Sequence, residues 1–174
     1  MQLSINEIKI QAKKLLQAKK TETNSFSKFD RYFAQQNLSP QQTWQLKHCL
    51  QAIAKDLGFS SWQEAQQLFS GDKKIDSSTN FGTFFYPKQC FAFINEWFSD
   101  YQEAVKGLMI STSKKWLLPY KSQFLLVEEE YIAALGLNIH ADNFALPEGR
   151  NLLATYHSAT WDRIVSNVIR ARAS

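Results

Sequence analysis

Glycine, proline, cysteine and methionine are scarce in this 174-residue chain, at six, four, two and two residues, and each scarcity excludes something. Neither a GxxxxGK loop nor a GxGxxG turn is present, so the usual backbone cradles for nucleotide phosphates are missing. No GxSxG elbow occurs to expose a nucleophilic serine. The two cysteines, Cys49 and Cys90, fall inside helix-like apolar patterns, as buried thiols of a reducing cytosol do, and do not make a disulfide framework. No apolar run approaches the roughly 18 residues of a membrane-spanning helix. The opening MQLSINEIKIQAKK has no uninterrupted apolar stretch and no small-residue cleavage site, which predicts a cytoplasmic protein without a secretory leader or membrane contact.

Histidine is also sparse: His48, His140 and His157. His48 lies on a predicted helix beside core positions, where a hydrogen-bonded structural imidazole is expected. His140 and Asp142 make a two-ligand fragment at loop spacing, and metal sites want three or four ligands, so neither metal nor cofactor is predicted. The acidic run Glu128–Glu130 stands at a helix start, where the macrodipole favours negative charge without any acid–base role.

Aromatics, by contrast, are plentiful. Thirteen Phe, six Tyr and five Trp make 14% of the chain and predict a core built on rings. Hydrophobic and charged shares of 44% and 21% are those of an ordinary globular protein, and the length suits one medium domain, or one with a small appendage. The net charge of +4 is uneven: residues 1–80 hold eleven Lys/Arg against seven Asp/Glu, and residues 81–174 hold nine against nine. An excess of that size does not by itself imply nucleic acid.

Along the chain, Ser4 and Glu7 have the spacing of a capping box, and Ile5, Ile8, Ala12, Leu15 and Leu16 form one apolar stripe. Lys9, Lys13, Lys14, Lys19 and Lys20 cover much of the remainder, as either a solvated basic face or a phosphate-contacting one. A second, shorter helix is expected over 25–37. A third starts at Ser39–Pro40–Gln42 and ends at Gly58, with Trp44, Leu46, Cys49, Leu50, Ile53, Ala54 and Leu57 facing inward. Ser61 and Glu64 cap the next helix, from Trp62 to Phe69. Residues 1–70 therefore read as a helical module, 71–80 as a polar linker or exposed loop, and 81–174 as an aromatic-rich α+β part.

In the second half FGTFFYP reads as a short strand or extended arm whose rings either pack inward or offer a contact surface. Cys90, Phe91, Ile94, Trp97, Phe98, Tyr101, Val105 and Leu108 keep three/four spacing, which predicts one long central helix over Pro87–Leu108. Trp116–Leu118 and Gln123–Val127 read as two strands around a turn at Pro119–Ser122, Glu128–Leu135 as a helix ended by Gly136, and Trp161–Ile169 as the apolar face of a last helix. The fold class expected is α+β, predominantly helical, with a small antiparallel β element.

The turn LGFSSWQEA raises the question of DNA reading. Ala54 and Gly58 fit a helix-turn-helix, but the second helix, SWQEAQQLF, offers three Gln, no Lys or Arg, and Glu64 where phosphates would lie. A structural corner fits better, and Trp62→Ala should then cost about 3–5 kcal/mol if the ring is buried. Through Leu50, Ala52, Ile53, Ala54, Leu57, Gly58, Phe59 and Trp62, residues 4–69 resemble a small bacterial helical module known as glyoxalase-related. WLLPYKSQFLLVEEEYIAALGL is similar to a segment of uncharacterised proteobacterial proteins. Neither resemblance implies a catalytic residue. The glyoxalase metalloenzymes themselves need paired βαβββ units and His/Glu/Gln ligands from several strands, and residues 81–174 offer too few strands.

Three functions remain to be weighed. A non-enzymatic binding or regulatory protein, acting through an unidentified protein partner or self-association, needs the fewest special residues. A nucleic-acid-associated protein would use the five N-terminal lysines with Arg163, Arg170 and Arg172. A small-molecule-binding protein or enzyme would use the loop bearing His140, Asp142, Glu148 and Arg150, facing Tyr120 and Lys121.

Overall fold

The first helix, α1 (Leu3–Lys20), turns Ile5, Ile8 and Ala12 into the core and leaves Lys9, Lys13, Lys14 and Lys20 exposed. Its N-terminus is not closed by its own sequence. Ser4 lies inside the helix, and the cap comes from the far end of the chain: the Asp162 carboxylate accepts from Leu3 N (2.8 Å), Ser4 N (3.0 Å) and Ser4 Oγ (2.6 Å). Glu7, the other half of the expected capping box, instead takes the Arg170 guanidinium at 3.1 Å and the Gln11 amide at 3.2 Å. The capping-box reading of Ser4 and Glu7 is thus corrected: a carboxylate with full charge, buried and facing three donors, outcompetes a local hydroxyl.

These relations are seen in a computed structural model that describes residues 2–20, 44–138 and 149–173. The expected helix over 25–37 and the Ser39–Pro40–Gln42 cap lie outside the described residues, but the third helix starts later than expected, with Gln45, extended at φ −122° and ψ 158°, as its N-cap. Helix α2 (Leu46–Asp56) packs on α1 and buries Cys49, Ala52, Ile53 and Ala54. Gly58 follows at φ 91°, the left-handed turn its sequence position predicted. Helix α3 (Trp62–Ser70) then starts with Ser61 accepting from Glu64 N, again as expected, and ends at Gly71 with φ 78°.

The second half departs from its periodicity. Pro87–Leu108 is not one helix: it divides into a 3-10 turn (Lys88–Cys90), a short strand β1 (Glu96–Phe98) and helix α4 (Tyr101–Ile110). Asp100 starts α4 by accepting from Glu103 N at 3.0 Å, and Asn95 bonds back to Phe93 O at 3.1 Å. Those local polar bonds compete with the helix ladder, while Trp97 and Phe98 suit a pleated surface. β2 (Trp116–Tyr120) and β3 (Gln123–Val127) form the expected hairpin, with Pro119 and Tyr120 inside β2 and the turn at 121–122. The sheet order is β1-β3-β2, antiparallel throughout. Helix α5 (Glu129–Ala134) follows, and α6 (Ala159–Ala173) buries Trp161, Ile164, Val165, Val168 and Ile169.

Helix-dominated α+β architecture is therefore the fold: six α-helices among the described residues and one three-stranded sheet. Helix α4 lies against β3, close enough that Gly107 is the residue facing Phe98 and Leu126; a Cβ there would meet Phe98 at 2.8 Å. Helix α1 packs along α6, so the first and last helices of the chain share one interface. The 71–80 stretch, read as linker or exposed loop, contributes Ile75 to the core surface, and Tyr156 Oη donates to Lys73 O at 3.2 Å. No helix among the described residues is long and apolar enough to cross a membrane.

Candidate functional site

The LGFSSWQEA turn is a clamped corner. Gln51 Oε1 accepts from Trp62 N (2.9 Å), and Glu64 Oε2 accepts from Ser60 N and Oγ (2.6 and 2.7 Å). Asn80 Nδ2 reaches Gly58 O (3.1 Å) and Glu64 Oε1 (3.2 Å). Burial raises the Glu64 carboxyl, but these Ser60 and Asn80 bonds outweigh it and hold it below its ordinary value. The corner is clamped to FGTFFYP by Thr83 N donating to Leu57 O at 2.6 Å. Arg172 of α6 completes the clamp, donating to Thr83 O and to Asp56 O at the C-terminus of α2. A Glu64 committed to its own helix start has nothing left with which to read a base. Trp62 is half-buried where Phe59 is fully buried, so the ring that pins this corner is Phe59.

FGTFFYP is a run of turns rather than a strand. Phe81, Phe84 and Phe85 pack inward, and Phe84 lies against Phe59, Phe69 and Phe85 at centroid distances of 6.4, 5.5 and 4.4 Å. Tyr86 is the residue that turns to the surface. Its ring stacks on Phe91 (5.0 Å, 28°) and stands edge-on to Trp97 (5.3 Å, 82°) and Tyr120 (5.4 Å, 74°). Trp97 and Tyr120 are also edge-on to one another at 5.5 Å. This four-ring cluster covers one face of the sheet from Trp97 on β1 to Tyr120 on β2, and no described strand pairs the outer edge of β1. Phe91 is 59% exposed, Ile94 99% and Trp97 42%. Lys121 stands beside the cluster, with its Nζ 5.4 Å from the Tyr120 ring. Glu96 on the edge strand is ion-paired with Lys115.

The residues expected to make a polar loop site do not assemble as one group. His140, Asp142 and Glu148 lie outside the described residues. Tyr120 belongs to the aromatic cluster, and Lys121 occupies the β2–β3 turn, its backbone paired with Phe81 and Gly82. Arg150 lies at the opposite end of β2, its carbonyl accepting from Leu117 N at 2.9 Å. Leu117 and Tyr120 are three residues apart on one strand, about 10 Å at the usual rise. Arg150 instead faces α4.

Helix geometry also sorts the lysines. At about 100° per residue, Lys9, Lys13 and Lys20 fall within about 40° of arc, whereas Lys14 and Lys19 point elsewhere. Lys13, Leu16, Gln17 and Lys20 line a surface groove of about 470 Å³. Arg170 pairs with Glu7 at 3.1 Å while staying 62% exposed, and Arg172, largely buried, pairs with Asp56 at 3.7 Å.

Cys49 and Cys90 are fully buried, and burial pushes both thiols up to about 11. Their reactivity as nucleophiles is correspondingly low. His48 Nδ1 accepts from Gln45 N at 3.2 Å and so closes the start of α2, the structural role expected of it. Burial, then the neighbouring Lys47, hold its pKa below the usual value, which keeps that nitrogen free to accept. Among the described residues no group of three His, Cys, Asp or Glu side chains is placed to hold a metal ion.

Reading the sequence alone missed the edge cluster, because Phe91, Ile94 and Trp97 had been assigned to a helix face. The signal available was Ser99–Asp100 with Glu103, a helix start that ends the preceding pattern. Comparisons of the chain with protein-family models, curated proteins and solved structures find no match.

Proposed function

We propose that this chain is a non-enzymatic binding protein that receives an extended segment of a partner polypeptide along β1. The observation that carries the reading is the outer edge of β1, unpaired among the described residues, next to the face bearing Tyr86, Phe91, Trp97 and Tyr120, with Ile94 almost fully exposed. An open edge supplies backbone donors and acceptors, and adjacent rings supply pockets for alternate side chains of an added strand. β1 is only three residues long, so an added strand gains few backbone bonds there and most of its contact comes from the exposed Phe91, Ile94 and Trp97. Lys121 beside Tyr120 favours a segment carrying an acidic residue, since the one acid on β1 is already paired with Lys115. The buried thiols suit a reducing compartment such as the cytoplasm. The likeness of residues 4–69 to the glyoxalase-related helical module, resting on the Gly58–Trp62 spacing, adds a structural unit to this reading and no activity.

The test is selection of peptides from a displayed random library on the full chain. Selected peptides should carry alternating apolar residues and an acidic residue, and lose binding to Ile94→Asp and Trp97→Ala, while Lys13→Glu leaves them bound. Selection of nothing above background, with a monomer in sedimentation at all concentrations, refutes the reading. A concentration-dependent dimer abolished by Ile94→Asp would replace the foreign partner with a second copy.

The Lys9–Lys13–Lys20 stripe favours a second reading, contact with nucleic-acid phosphates. Retention on heparin that falls with salt and with Lys13→Glu would support it, and no retention at low salt would end it.

A further inference from the structure

A separate cavity of about 550 Å³ lies between α4 and residues 149–154, on the opposite end of β2 from the aromatic cluster. Its volume falls within the range of small-molecule sites. Val105, Leu108 and Met109 of α4 supply an apolar wall. Tyr101 and Arg150 supply the polar side, the Tyr101 hydroxyl bonded by Asn151 and Arg150 anchored through its main chain.

Asn151 Nδ2 donates to Tyr101 Oη at 2.9 Å, so the phenol is already an acceptor and its own proton has no acceptor among the described residues. Asn151 is itself fixed, its Oδ1 accepting from Ala154 N at 3.2 Å and its backbone bridging to Leu117 of β2. Arg150 is locked through its main chain: its carbonyl accepts from Leu117 N, and Leu152 N returns to Leu117 O at 3.1 Å. It adopts φ 68°, a left-handed conformation that non-glycine residues enter at a cost, directly after Gly149 at φ 52°. Its guanidinium makes no ion pair or hydrogen bond among the described residues, unlike Arg170 and Arg172.

An apolar wall on one side faces two half-buried donors on the other, a phenol held by Asn151 and a guanidinium on an anchored backbone, and the pair suits an anionic acceptor with a hydrocarbon body. From this geometry we infer that the cavity binds an amphipathic monocarboxylate. The carboxylate takes the Arg150 guanidinium and the Tyr101 hydroxyl, and the hydrocarbon lies along Val105, Leu108 and Met109. The guanidinium fork matches a carboxylate in a way it does not match a neutral or cationic head group. The inference is independent of the β1 edge and survives if that reading fails.

Titration calorimetry on the full chain tests it with octanoate, octanol, octylammonium and acetate as probes. Octanoate should bind saturably at one site. Octanol and octylammonium should bind about ten- to hundredfold more weakly, the usual span for one lost charge-assisted contact. Acetate, without a hydrocarbon body, should not bind measurably. Arg150→Asn, which tolerates the left-handed backbone, should weaken octanoate by a similar factor and leave the circular dichroism spectrum unchanged. Val105→Trp should block binding by filling the cavity without touching the charge. Equal affinity for octanoate and octylammonium, unchanged affinity in Arg150→Asn, or no saturable octanoate binding overturns the inference. An Ile94→Asp control should bind octanoate like the wild type; a loss there would place the ligand at the β1 edge and equally overturn it.

Discussion

Replacing Asp162 with alanine should loosen the two ends of the chain from each other. The Asp162 side chain is 99% buried in the sense that matters, with 1% of its surface exposed, and it accepts three hydrogen bonds from Leu3 and Ser4. Bonds to a charged acceptor contribute about 1.5–3 kcal/mol each when measured singly. They share one carboxylate here, so their losses do not add. Removing the acceptor also leaves Ser4, itself 0% exposed, with donors facing no partner. The expected loss is about 3 kcal/mol, between the about 2 of a strong helix cap and the about 5 of a broken buried charge contact. For a chain of this size that is roughly a 6–12 °C fall in Tm.

The same carboxylate gives the loss a pH dependence of known sign. Burial raises the Asp162 carboxyl, but the Ser4 and Leu3 donors outweigh it and hold the folded-state pKa below its ordinary value. A group depressed in the folded state contributes stability above its unfolded pKa of about 3.9 and loses it as pH falls through the folded value. Urea unfolding of wild type and Asp162→Ala should therefore differ most at neutral pH, and the two curves should converge as the pH drops below about 4. Asp162→Asn, with one acceptor oxygen, should fall between them and show no convergence of its own. A neutral-pH loss under about 1 kcal/mol, the level of an ordinary exposed cap, would refute the cross-chain capping argument.

The other outcomes are simpler to state. Gly82→Ala should cost about 2–4 kcal/mol in urea unfolding, because a Cβ there runs into Leu57 O and lies 2.8 Å from the Phe59 ring at φ 74°. Gly149→Ala, at φ 52° with nothing within 4 Å, should cost only the left-handed penalty of about 1–2 kcal/mol; equal losses at the two sites would contradict the packing account. Both thiols, pushed up to about 11, should react with Ellman's reagent at pH 8 about a hundredfold or more slowly than a free cysteine of pKa about 8.5, and at ordinary rates once unfolded. A native thiol that reacts at once would refute the burial reading. Trp62→Ala should cost about 1–3 kcal/mol rather than the full-core amount, as its ring is half-buried, while Phe59→Ala should cost about 3–5. Reversal of that order would restore Trp62 as the pin of the corner.

Local chemistry made much of the fold legible. Gly58 and Gly136 sit at φ 91° and 76°, and Ser61 bonds Glu64 N, because caps and turns are decided within a few residues of themselves. The β2–β3 hairpin and the apolar face of α6 were legible for the same reason. What failed was periodicity where a long-range competitor existed. Ser4 and Glu7 have every local feature of a capping box, yet Asp162, 158 residues away from Ser4, takes the first and Arg170 the second. Over Pro87–Leu108 the three/four spacing is real, but Ile94 and Phe91 on that apparent stripe are exposed. A helical period shows that residues would share a face if the helix formed; Asn95 and Asp100 show that it does not.

The candidate sites were harder to read because side-chain identity does not say which groups are already used. Phe84 and Phe91 are the same residue seven positions apart, one fully buried among rings and the other 59% exposed beside an open strand edge. Arg150, Arg170 and Arg172 are equally basic in the sequence, and the structure separates them by partner. Arg170 holds Glu7 and Arg172 holds Asp56 and the corner carbonyls, so their charge is spent on joining α6 to the front of the chain. Charge counting that assigned both to a phosphate surface therefore overstated the basic face. Arg150 faces a cavity with its donors open while its backbone is locked to β2. Arg150 is half-buried and hydrated, so an anion there displaces only water, whereas one at Arg170 or Arg172 must compete with a carboxylate. That asymmetry makes the unused guanidinium, rather than the more numerous lysines of α1, the cation whose substitution should change what this protein binds.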